Sequence, residues 1–413
     1  MRHLPRIAAA TLLGLALLPA VPATAASTST AFERWTSTAD FATGTSTGIS
    51  AQPGKITQGK GTTVMTYDDP RVAGGAKTYR TAHWTSPWKS TGFAAKSLIP
   101  SWQATAPKGS WIRVLVRVRS GSTIGSWDTV ARWAANTTNI RRSSYSSQSD
   151  DLARLSTDTI VANSGKSFTG WQIRVQLLRP GGTMDSPTVY AVNGVAANYL
   201  TRSPSTTTTT TMTATKELAV PRSSQMIHRG EYPAWGGGGE AWCSPTSTSM
   251  VMRYFGEGPS AASYSWSPYT DSFVDHAARD TFDYAYDGTG NWPFNTAYAG
   301  RYSLDSFVTR LHNLRDAEAF IKAGIPLVAS IAFSKGGLDG APISSTPGHL
   351  LVIRGFTAGG RVIANDPAAA TNSTVKRIYS RAQFERAWLK GSGGVVYVIR
   401  PATRALPPDT ARW

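Results

Sequence analysis

The sequence predicts two folded regions of different class: an all-β sandwich or jelly roll over residues 32–200, and an α+β domain over residues 220–401. Apolar and polar residues alternate along 112–118 and again along 171–177, which is the period of a half-buried strand. The rear region instead mixes helix starts, short apolar runs and glycine turns. Between the two, residues 203–215 include six consecutive threonines, a composition typical of a linker.

Residues 1–25 have the pattern of a secretory signal peptide. Arg2 and Arg6 precede an apolar run over 7–21, and small residues at 23–25 offer a cleavage site. The alternative is an uncleaved N-terminal anchor, but the run is short for a membrane span and no later segment reaches eighteen apolar residues. We therefore expect the mature chain to be secreted and extracellular, without a membrane span. A further expectation is that it associates with the cell wall.

The positive charge of the chain, +17 in total, is concentrated in its front half. Residues 27–205 hold 20 basic and 9 acidic groups, whereas residues 206–413 hold 20 and 16. A basic front domain favours an anionic partner, such as a cell-wall polymer or an acidic glycan. The alternative is a generally basic secreted protein with no specific partner. Nucleic acid is not expected, because no nucleic-acid-binding motif accompanies the charge.

The front region is rich in tryptophan, which leaves two interpretations open. Exposed indoles would stack on sugar rings and make the region a carbohydrate-binding module. The simpler interpretation, which we favour, is that most of these large side chains fill the core. The eight tryptophans concerned are Trp35, Trp84, Trp88, Trp102, Trp111, Trp127, Trp133 and Trp171.

The rear region carries clear local signals for helices and strands. Ser244 and Pro245 predict an N-cap and first helical residue, with the helix ending at Gly256. Ser380 and Gln383 predict a capping box at the start of a second helix. The remaining predicted elements are a helix over 315–323, strands over 326–333 and 395–399, and a hairpin of strands 349–356 and 361–365.

Cys243 is the residue from which any chemistry starts. It is the single cysteine of the chain, so it cannot form an internal disulfide or a cysteine-based metal site. It lies at the start of the predicted helix, where unsatisfied backbone N–H groups favour the nucleophilic thiolate. Glycines 236–239 just upstream leave room for a substrate beside the thiol. The alternative is an inert buried cysteine.

His349 is the best candidate for the base that a nucleophilic cysteine requires. It follows Gly348 and opens a predicted strand, so it would be accessible and firmly held. The other histidines, among them His228, are expected to be surface or packing residues. Asp271, Asp275, His276 and Asp280 share one predicted helix, but one histidine among scattered carboxylates is more typical of a solvated helix face than of a metal site.

A third group must orient the imidazole and fix its tautomer. Asp366 ends the strand that follows His349, and hairpin pairing could bring the two together. The position of the turn is uncertain by a few residues, so Asn365 remains the alternative, because its side-chain amide can do the same job. We favour Asp366.

Four segments together resemble the cysteine peptidases related to bacteriocin-leader-processing peptidases. They are Val220-Pro221 with Ser224-Gln225, Trp242-Cys243-Ser244-Pro245, Gly348-His349 and Asn365-Asp366-Pro367. The resemblance covers residues 220–401 and implies a papain-like fold. It also implies that Cys243 is the nucleophile, His349 the base, Asp366 the orienting acid and Gln225 the oxyanion donor. A β domain with a threonine-rich linker resembles secreted actinobacterial members of this group.

The function expected from these residues is that of a secreted cysteine hydrolase acting on peptide or protein substrates through a thioester. It needs no metal or cofactor. Two alternatives remain: a wall-peptide amidase or acyltransferase using the same triad, and a surface- or glycan-binding protein without activity.

Overall fold

The computed structural model describes residues 28–146, 148–149 and 151–408, so the predicted signal peptide at 1–25 lies outside the described residues. Within these residues, no helix has both the length and the apolarity that crossing a membrane requires. The chain forms a β-rich front domain and an α+β rear domain, which confirms the predicted fold class.

The front domain consists of two antiparallel sheets. The first has the strand order β13-β14-β8-β16-β4-β3, with β1 also paired to β16. The second has the order β12-β11-β9-β15-β6-β2, with β5, β7 and β10 attached to it. The elements are β1 (Thr30–Trp35), α1 (Thr38–Ala42), β2 (Thr45–Thr47), β3 (Ile49–Gln52), β4 (Lys55–Gln58), β5 (Thr63–Tyr67), β6 (Lys77–Thr85), β7 (Lys89–Ala95), β8 (Ser97–Thr105), β9 (Trp111–Ser120), β10 (Thr123–Ile124), β11 (Asp128–Trp133), β12 (Ser143–Ser144), β13 (Ala153–Ser156), β14 (Thr159–Ala162), β15 (Phe168–Pro180) and β16 (Thr188–Ala197).

The inner faces of the two sheets pack on each other as the alternating pattern requires. Ile112, Val114 and Val116 of β9 enter the same core as Trp171 and Ile173 of β15. Most tryptophans of this domain are buried there, as the simpler interpretation predicts; Trp88 and Trp127 are the two that stay half-buried.

The rear domain is one antiparallel sheet with helices packed on it. Its strand order is β18-β23-β19-β20-β21-β22, and β17 pairs with β20. The elements are β17 (Lys216–Glu217), α2 (Cys243–Tyr254), α3 (Ala261–Tyr264), α4 (Phe273–Thr281), α5 (Trp292–Ala299), β18 (Leu304–Arg310), α6 (Leu314–Lys322), β19 (Leu327–Phe333), β20 (Thr346–Phe356), β21 (Val362–Asn365), β22 (Lys376–Tyr379), α7 (Arg381–Ser392) and β23 (Val395–Pro401).

Helix α2 begins earlier than predicted. Cys243 is its first residue, and Trp242 stands at the N-cap without a side-chain capping bond. Ser244 is therefore not the cap; its hydroxyl lies 2.9 Å from the hydroxyl of Tyr397 in the buried interior. A tertiary partner has replaced the local one, which places the thiol in the first turn of the helix.

The capping box predicted for α7 is also absent. Ser380 occupies the N-cap position but makes no side-chain capping bond. The side chain of Gln383 donates to Asp339 Oδ2 at 2.9 Å instead of to the helix start. The helix is held by burial of Phe384 and Trp388, which does not depend on the cap.

The prediction that α4 shows a solvated acidic face is wrong. Asp275, His276 and Asp280 are all buried. Asp280 pairs with Arg301 at 2.7 Å, and His276 Nδ1 lies 2.9 Å from the Tyr298 hydroxyl. Helix α4 packs on its neighbours on several sides, so its polar residues find partners inside the domain rather than in water.

The threonine-rich segment connects the two domains, and its threonines are hydrogen-bonded to the rear domain. Thr208 N donates to Glu385 Oε2 at 2.8 Å, and Thr211 N donates to Glu318 Oε2 at 2.8 Å. The hydroxyls of Thr210 and Thr211 also donate to Glu318, each at 2.6 Å. The segment is thus bound along α6 and α7, rather than free as its composition alone suggests.

The first sheet of the front domain packs directly on the rear domain. Val308 N donates to Ser101 Oγ at 3.2 Å, and Gln103 Nε2 donates to Ser306 O at 3.1 Å. Ile99 of β8 belongs to the rear core, while Phe294 of α5 belongs to the front core. The two domains therefore share a packed junction.

Candidate active site

Cys243 lies at the N-terminus of α2, half-buried, on the wall of a cavity of about 590 Å³. The start of the helix is fixed against the sheet, because Ser247 Oγ donates to Leu350 O at 3.1 Å. Leu350 follows His349 in β20, so this bond holds the cysteine-bearing turn beside the histidine-bearing strand. Cys243 is the first residue of α2, where backbone N–H groups lack partners within the helix.

His349 and Asp366 are in direct contact. His349 Nε2 lies 2.8 Å from Asp366 Oδ1, and both side chains are almost completely buried. The second oxygen of Asp366 accepts a hydrogen bond from the Tyr379 hydroxyl at 2.7 Å. The backbone N–H of Ala368 donates to Oδ1 at 3.1 Å. The carboxylate is thus held on both oxygens, and the imidazole ring is held by the carboxylate.

The charges of the pair stabilise each other. Burial by itself lowers the pKa of His349, but Asp366 and the adjacent Cys243 thiol outweigh burial and raise that pKa to about 10. Burial would raise the pKa of Asp366, yet His349 and the hydrogen bonds from Tyr379 and Ala368 hold it below its ordinary value. The imidazolium and the carboxylate are therefore the forms present near neutral pH.

Asn365, the alternative partner of His349, points the other way. Its Nδ2 donates to Pro221 O at 2.9 Å, and its Oδ1 accepts from Arg354 Nη1 at 3.0 Å. Adjacent residues of a strand face opposite sides of the sheet, so only one of the two can reach the imidazole. The structure places Asp366 there, while Asn365 ties the segment before Gln225 to the sheet.

Gln225 lies next to the segment that precedes Cys243. Its backbone N–H donates to Pro367 O at 2.8 Å, and its side-chain amide donates to Glu240 O. The side chain is buried, and its Oε1 has no hydrogen-bond partner among the described residues. Gln225 is therefore anchored both to the Asp366 loop and to the turn before the thiol.

Gln225 and Cys243 are far apart in the sequence, and the chain between them folds back at a glycine loop, residues 236–239. Gly236, Gly237 and Gly238 have φ values of 75°, 98° and 111°, which residues other than glycine rarely adopt. At Gly239 an added Cβ would lie 2.1 Å from the carbonyl oxygen of His228. The glycines thus let the chain fold back on itself between Gln225 and Cys243.

His228, predicted from the sequence to be a surface or packing histidine, is buried and lies between two carboxylates. Its Nδ1 lies 2.8 Å from Glu231 Oε2 and 3.1 Å from Asp275 Oδ1. Burial lowers the pKa of His228, but the two carboxylates outweigh it and raise that pKa. The His-x-x-Glu spacing was visible in the sequence, whereas Asp275 comes from α4 and could be found only in three dimensions.

The same three residues form the group of described side chains that could share a metal ion. Their ligand atoms lie within 4.8 Å of one another. Both carboxylates face one ring nitrogen of His228, while the other ring nitrogen has no hydrogen-bond partner among the described residues. The cluster links the loop between Gln225 and Cys243 to helix α4.

The cavity beside Cys243 is built by both domains. The rear domain contributes Tyr286, Gly288 and Gly348 among others, and the front domain contributes the β13–β14 turn, residues 156–159. Asp158 in that turn accepts a hydrogen bond from the backbone N–H of Trp292, the first residue of α5, at 2.9 Å. The turn is thereby fixed against the rear domain as one wall of the cavity.

Both domains match known protein families. Residues 217–395 match the model of the Peptidase_C39 like family. Residues 31–197 match that of the Peptidase C39 N-terminal domain. The two matches together are those of the actinobacterial peptidase C39 type. This confirms the family that the four sequence segments resemble, and it gives the C39 domain a cysteine-peptidase type of fold.

Other comparisons add little to the C39 assignment. No curated protein matches the chain. A chain of the solved "Structure of infectious bursal disease virus Gt strain" is 13% identical, with a TM-score of 0.19. The match covers 45% of the C39 chain and 37% of the viral chain, so it spans little more than a third of that protein. At that TM-score the likeness supports no conclusion.

Proposed function

We propose that this protein is a cysteine peptidase, exported by its predicted signal peptide and active outside the cell. The observation that carries the proposal is the buried His349–Asp366 pair, joined at 2.8 Å, with Cys243 as the other neighbour of the imidazole. A peptidase C39 family match over the same residues supports it.

In the proposed acylation step, Cys243 Sγ attacks the carbonyl carbon of the scissile bond. Asp366 occupies Nε2 of His349, so Nδ1 is the ring nitrogen left for the thiol and the leaving group. As the carbon–nitrogen bond breaks, the imidazolium gives its proton to the departing amine, and a thioester remains on the sulfur. The side-chain amide of Gln225 and the backbone N–H of Cys243 are the proposed donors to the oxyanion.

In the proposed deacylation step, the now neutral His349 takes a proton from water. The hydroxide formed attacks the thioester carbon, the carbon–sulfur bond breaks and the acid product leaves. Asp366 keeps the ring oriented in both steps and stabilises its positive charge. The cavity wall formed by residues 156–159 would bring the front domain into contact with the substrate.

Cleavage of a peptide library by the wild type and by Cys243→Ala tests the proposal. We expect turnover by the wild type and its loss in the variant, with an unchanged thermal unfolding midpoint. Because Cys243 is the single thiol, labelling by a small electrophile gives an independent measurement. Labelling should be faster than for free cysteine and should slow in His349→Ala, while His83→Ala in the front domain serves as the matched control.

The alternatives give different results in the same experiments. Mass analysis of products from wall fragments would show amide hydrolysis or transfer to an amine acceptor if the enzyme is an amidase or acyltransferase. A binding protein without activity would label at the rate of free cysteine and cleave nothing. Equal cleavage by the wild type and Cys243→Ala would contradict the nucleophilic role.

A further inference from the structure

The outward face of the second front sheet carries a group of arginines that the peptidase function does not use. On β9, Arg113, Arg117 and Arg119 alternate with core residues, and Arg174 lies on the neighbouring strand β15. The paired positions Arg117↔Gln172 and Leu115↔Arg174 put all four on the same side of the sheet. We refer to Arg113, Arg117, Arg119 and Arg174 as the arginine face.

Three of these arginines alternate with two tryptophans in a single stack. The guanidinium of Arg119 lies 4.7 Å from the ring centre of Trp88, and that of Arg117 lies 5.1 Å from the same ring. Arg117 also lies 4.6 Å from the ring centre of Trp127, and Arg174 lies 4.3 Å from the same ring centre. The order Arg119, Trp88, Arg117, Trp127, Arg174 holds each cation in a fixed position.

The cations are oriented by neutral groups. Gln172 Oε1 accepts from Arg117 Nε at 2.8 Å and from Nη2 at 2.6 Å. Gln176 Oε1 accepts from Arg113 Nε at 2.9 Å, and Thr85 Oγ1 accepts from Arg174 Nε at 2.9 Å. Among the described residues, none of the four arginines has a carboxylate within ion-pair distance.

The positive charges therefore repel each other, and no carboxylate of the described residues lies close enough to form an ion pair with them. Burial first, and then Arg117 and Arg113, lower the pKa of Arg174. Burial and Arg174 likewise lower the pKa of His83, which faces the same side. Holding four cations together on a rigid sheet without a counter-charge costs free energy, which an anionic ligand would recover.

We propose that the arginine face binds a linear polyanion of the cell envelope, whose repeating charge is a phosphodiester or a uronate carboxylate. Arg117 and Arg119 are two residues apart on one strand, about 7 Å, which suits regularly spaced anions. Guanidinium forks bind phosphate and carboxylate oxygens two at a time. Trp88 and Trp127 each already contact two of these arginines, which favours an anionic ligand over a neutral sugar stacked on the rings.

The position of the arginine face fits an attachment role. The first sheet packs on the rear domain, through contacts such as Ser101 with Val308. The arginines lie on β9 and β15 of the second sheet, whereas the front-domain wall of the cavity is the β13–β14 turn of the first sheet. A polymer bound there would leave the cavity beside Cys243 open.

Binding of the full-length protein to immobilised synthetic poly(glycerol phosphate) and to polygalacturonate tests the proposal, with dextran as the neutral control. Arg117→Gln with Arg174→Gln should weaken binding at least about tenfold, because two charge-assisted contacts are lost. The dependence of binding on salt should become less steep by about one ion per arginine removed. The matched control, Lys60→Gln with Lys108→Gln, removes the same charge at exposed positions outside the face and should bind as the wild type does.

A second variant separates charge from stacking. Arg117→Lys with Arg174→Lys keeps the charge but loses the planar fork, and we expect intermediate binding. Preference for one polymer identifies phosphate or carboxylate as the ligand. Undiminished binding of a folded Arg117→Gln/Arg174→Gln variant, or equal binding to double-stranded DNA, overturns the proposal. Peptide cleavage by all variants should stay unchanged, so failure here is distinguishable from failure of the peptidase function.

Discussion

The imidazole of His349 has two neighbours, Cys243 and Asp366, which come from separate parts of the chain. Asp366 fixes its Nε2 at 2.8 Å, and Tyr379 fixes the other oxygen of Asp366 at 2.7 Å. The hydroxyl of Tyr379 remains protonated, because burial and Asp366 both raise its pKa. A buried carboxylate with this many donors stays ionised, and it keeps the imidazole charged.

The charge on His349 should make stability depend on pH above neutrality. The pKa of about 10 in the folded state exceeds the ordinary value of 6.5, so the contribution is complete below pH 6.5 and disappears as the pH rises through 10. We expect the free energy of unfolding in urea to fall from pH 7 to pH 9.5 more steeply for the wild type than for His349→Gln. The slope should differ by up to about 1.4 kcal/mol per pH unit. Parallel curves would contradict the charged pair.

The sequence limited the candidates for the residue that orients the His349 imidazole to two adjacent positions. Asn365 and Asp366 have suitable side chains, but strand alternation allows only one of them to face the imidazole. The pairing of β20 with β21 shifts between Ile353 and Gly355, and this irregularity sets which one does. A local pattern cannot predict such a shift, because both registers satisfy the turn residues.

Among the elements, the threonine-rich segment, residues 203–215, differs most from what the sequence predicts. Its threonines bury few apolar atoms, so composition predicts a free connector. Instead Glu318, fully buried on α6, accepts from Thr210 and Thr211 and from Arg381 Nη1 at 2.6 Å. Polar partners on two helices have replaced the missing hydrophobic contacts.

Removing the charge of Glu318 should release this segment. Glu318→Gln leaves the buried Arg381 without its counter-charge, so we expect a loss of about 3–5 kcal/mol in unfolding free energy. Limited proteolysis within residues 203–215 should become faster. Thr210→Ala with Thr211→Ala should accelerate cleavage with a smaller loss of stability, and Glu257→Gln is the control. Rapid cleavage of the wild type at this segment would show that it is free in solution.

At the scale of the whole molecule, the two domains form one structure around the cavity. Asp158 of the front domain accepts a hydrogen bond from the backbone N–H of Trp292, and Ser144 N donates to Asp283 Oδ1 at 3.0 Å. Arg142 Nη2 donates to Arg279 O at 2.7 Å. These polar contacts accompany the apolar packing of Ile99 and Phe294 across the junction, and each bond compensates for a group removed from water.

Asp158 should make the junction sensitive to pH in the acidic range. Burial raises the pKa of this carboxyl from 3.8 to about 6, so the folded state holds a proton that the unfolded state releases, and stability falls as pH rises from 4 to 6. Asp158→Asn keeps an acceptor for Trp292 and removes this effect. We expect the variant to gain up to about 3 kcal/mol relative to the wild type between pH 4 and pH 7, measured by urea unfolding. If the difference in unfolding free energy between Asp158→Asn and the wild type stayed constant from pH 4 to pH 7, the raised pKa of Asp158 would be contradicted.

The sequence by itself determined the two fold classes and the positions of β9, β15, α6 and β19–β21, because strand and helix periods are local properties. It also supplied the candidates Cys243 and His349, with Asp366 or Asn365 as the orienting residue. The tertiary structure decided the contact of His349 with Asp366 rather than Asn365, the pairing of His228 with Asp275, the binding of the threonine-rich segment and the shared cavity. These depend on which buried faces and charges meet across the fold, and residue spacing along the chain does not by itself decide that.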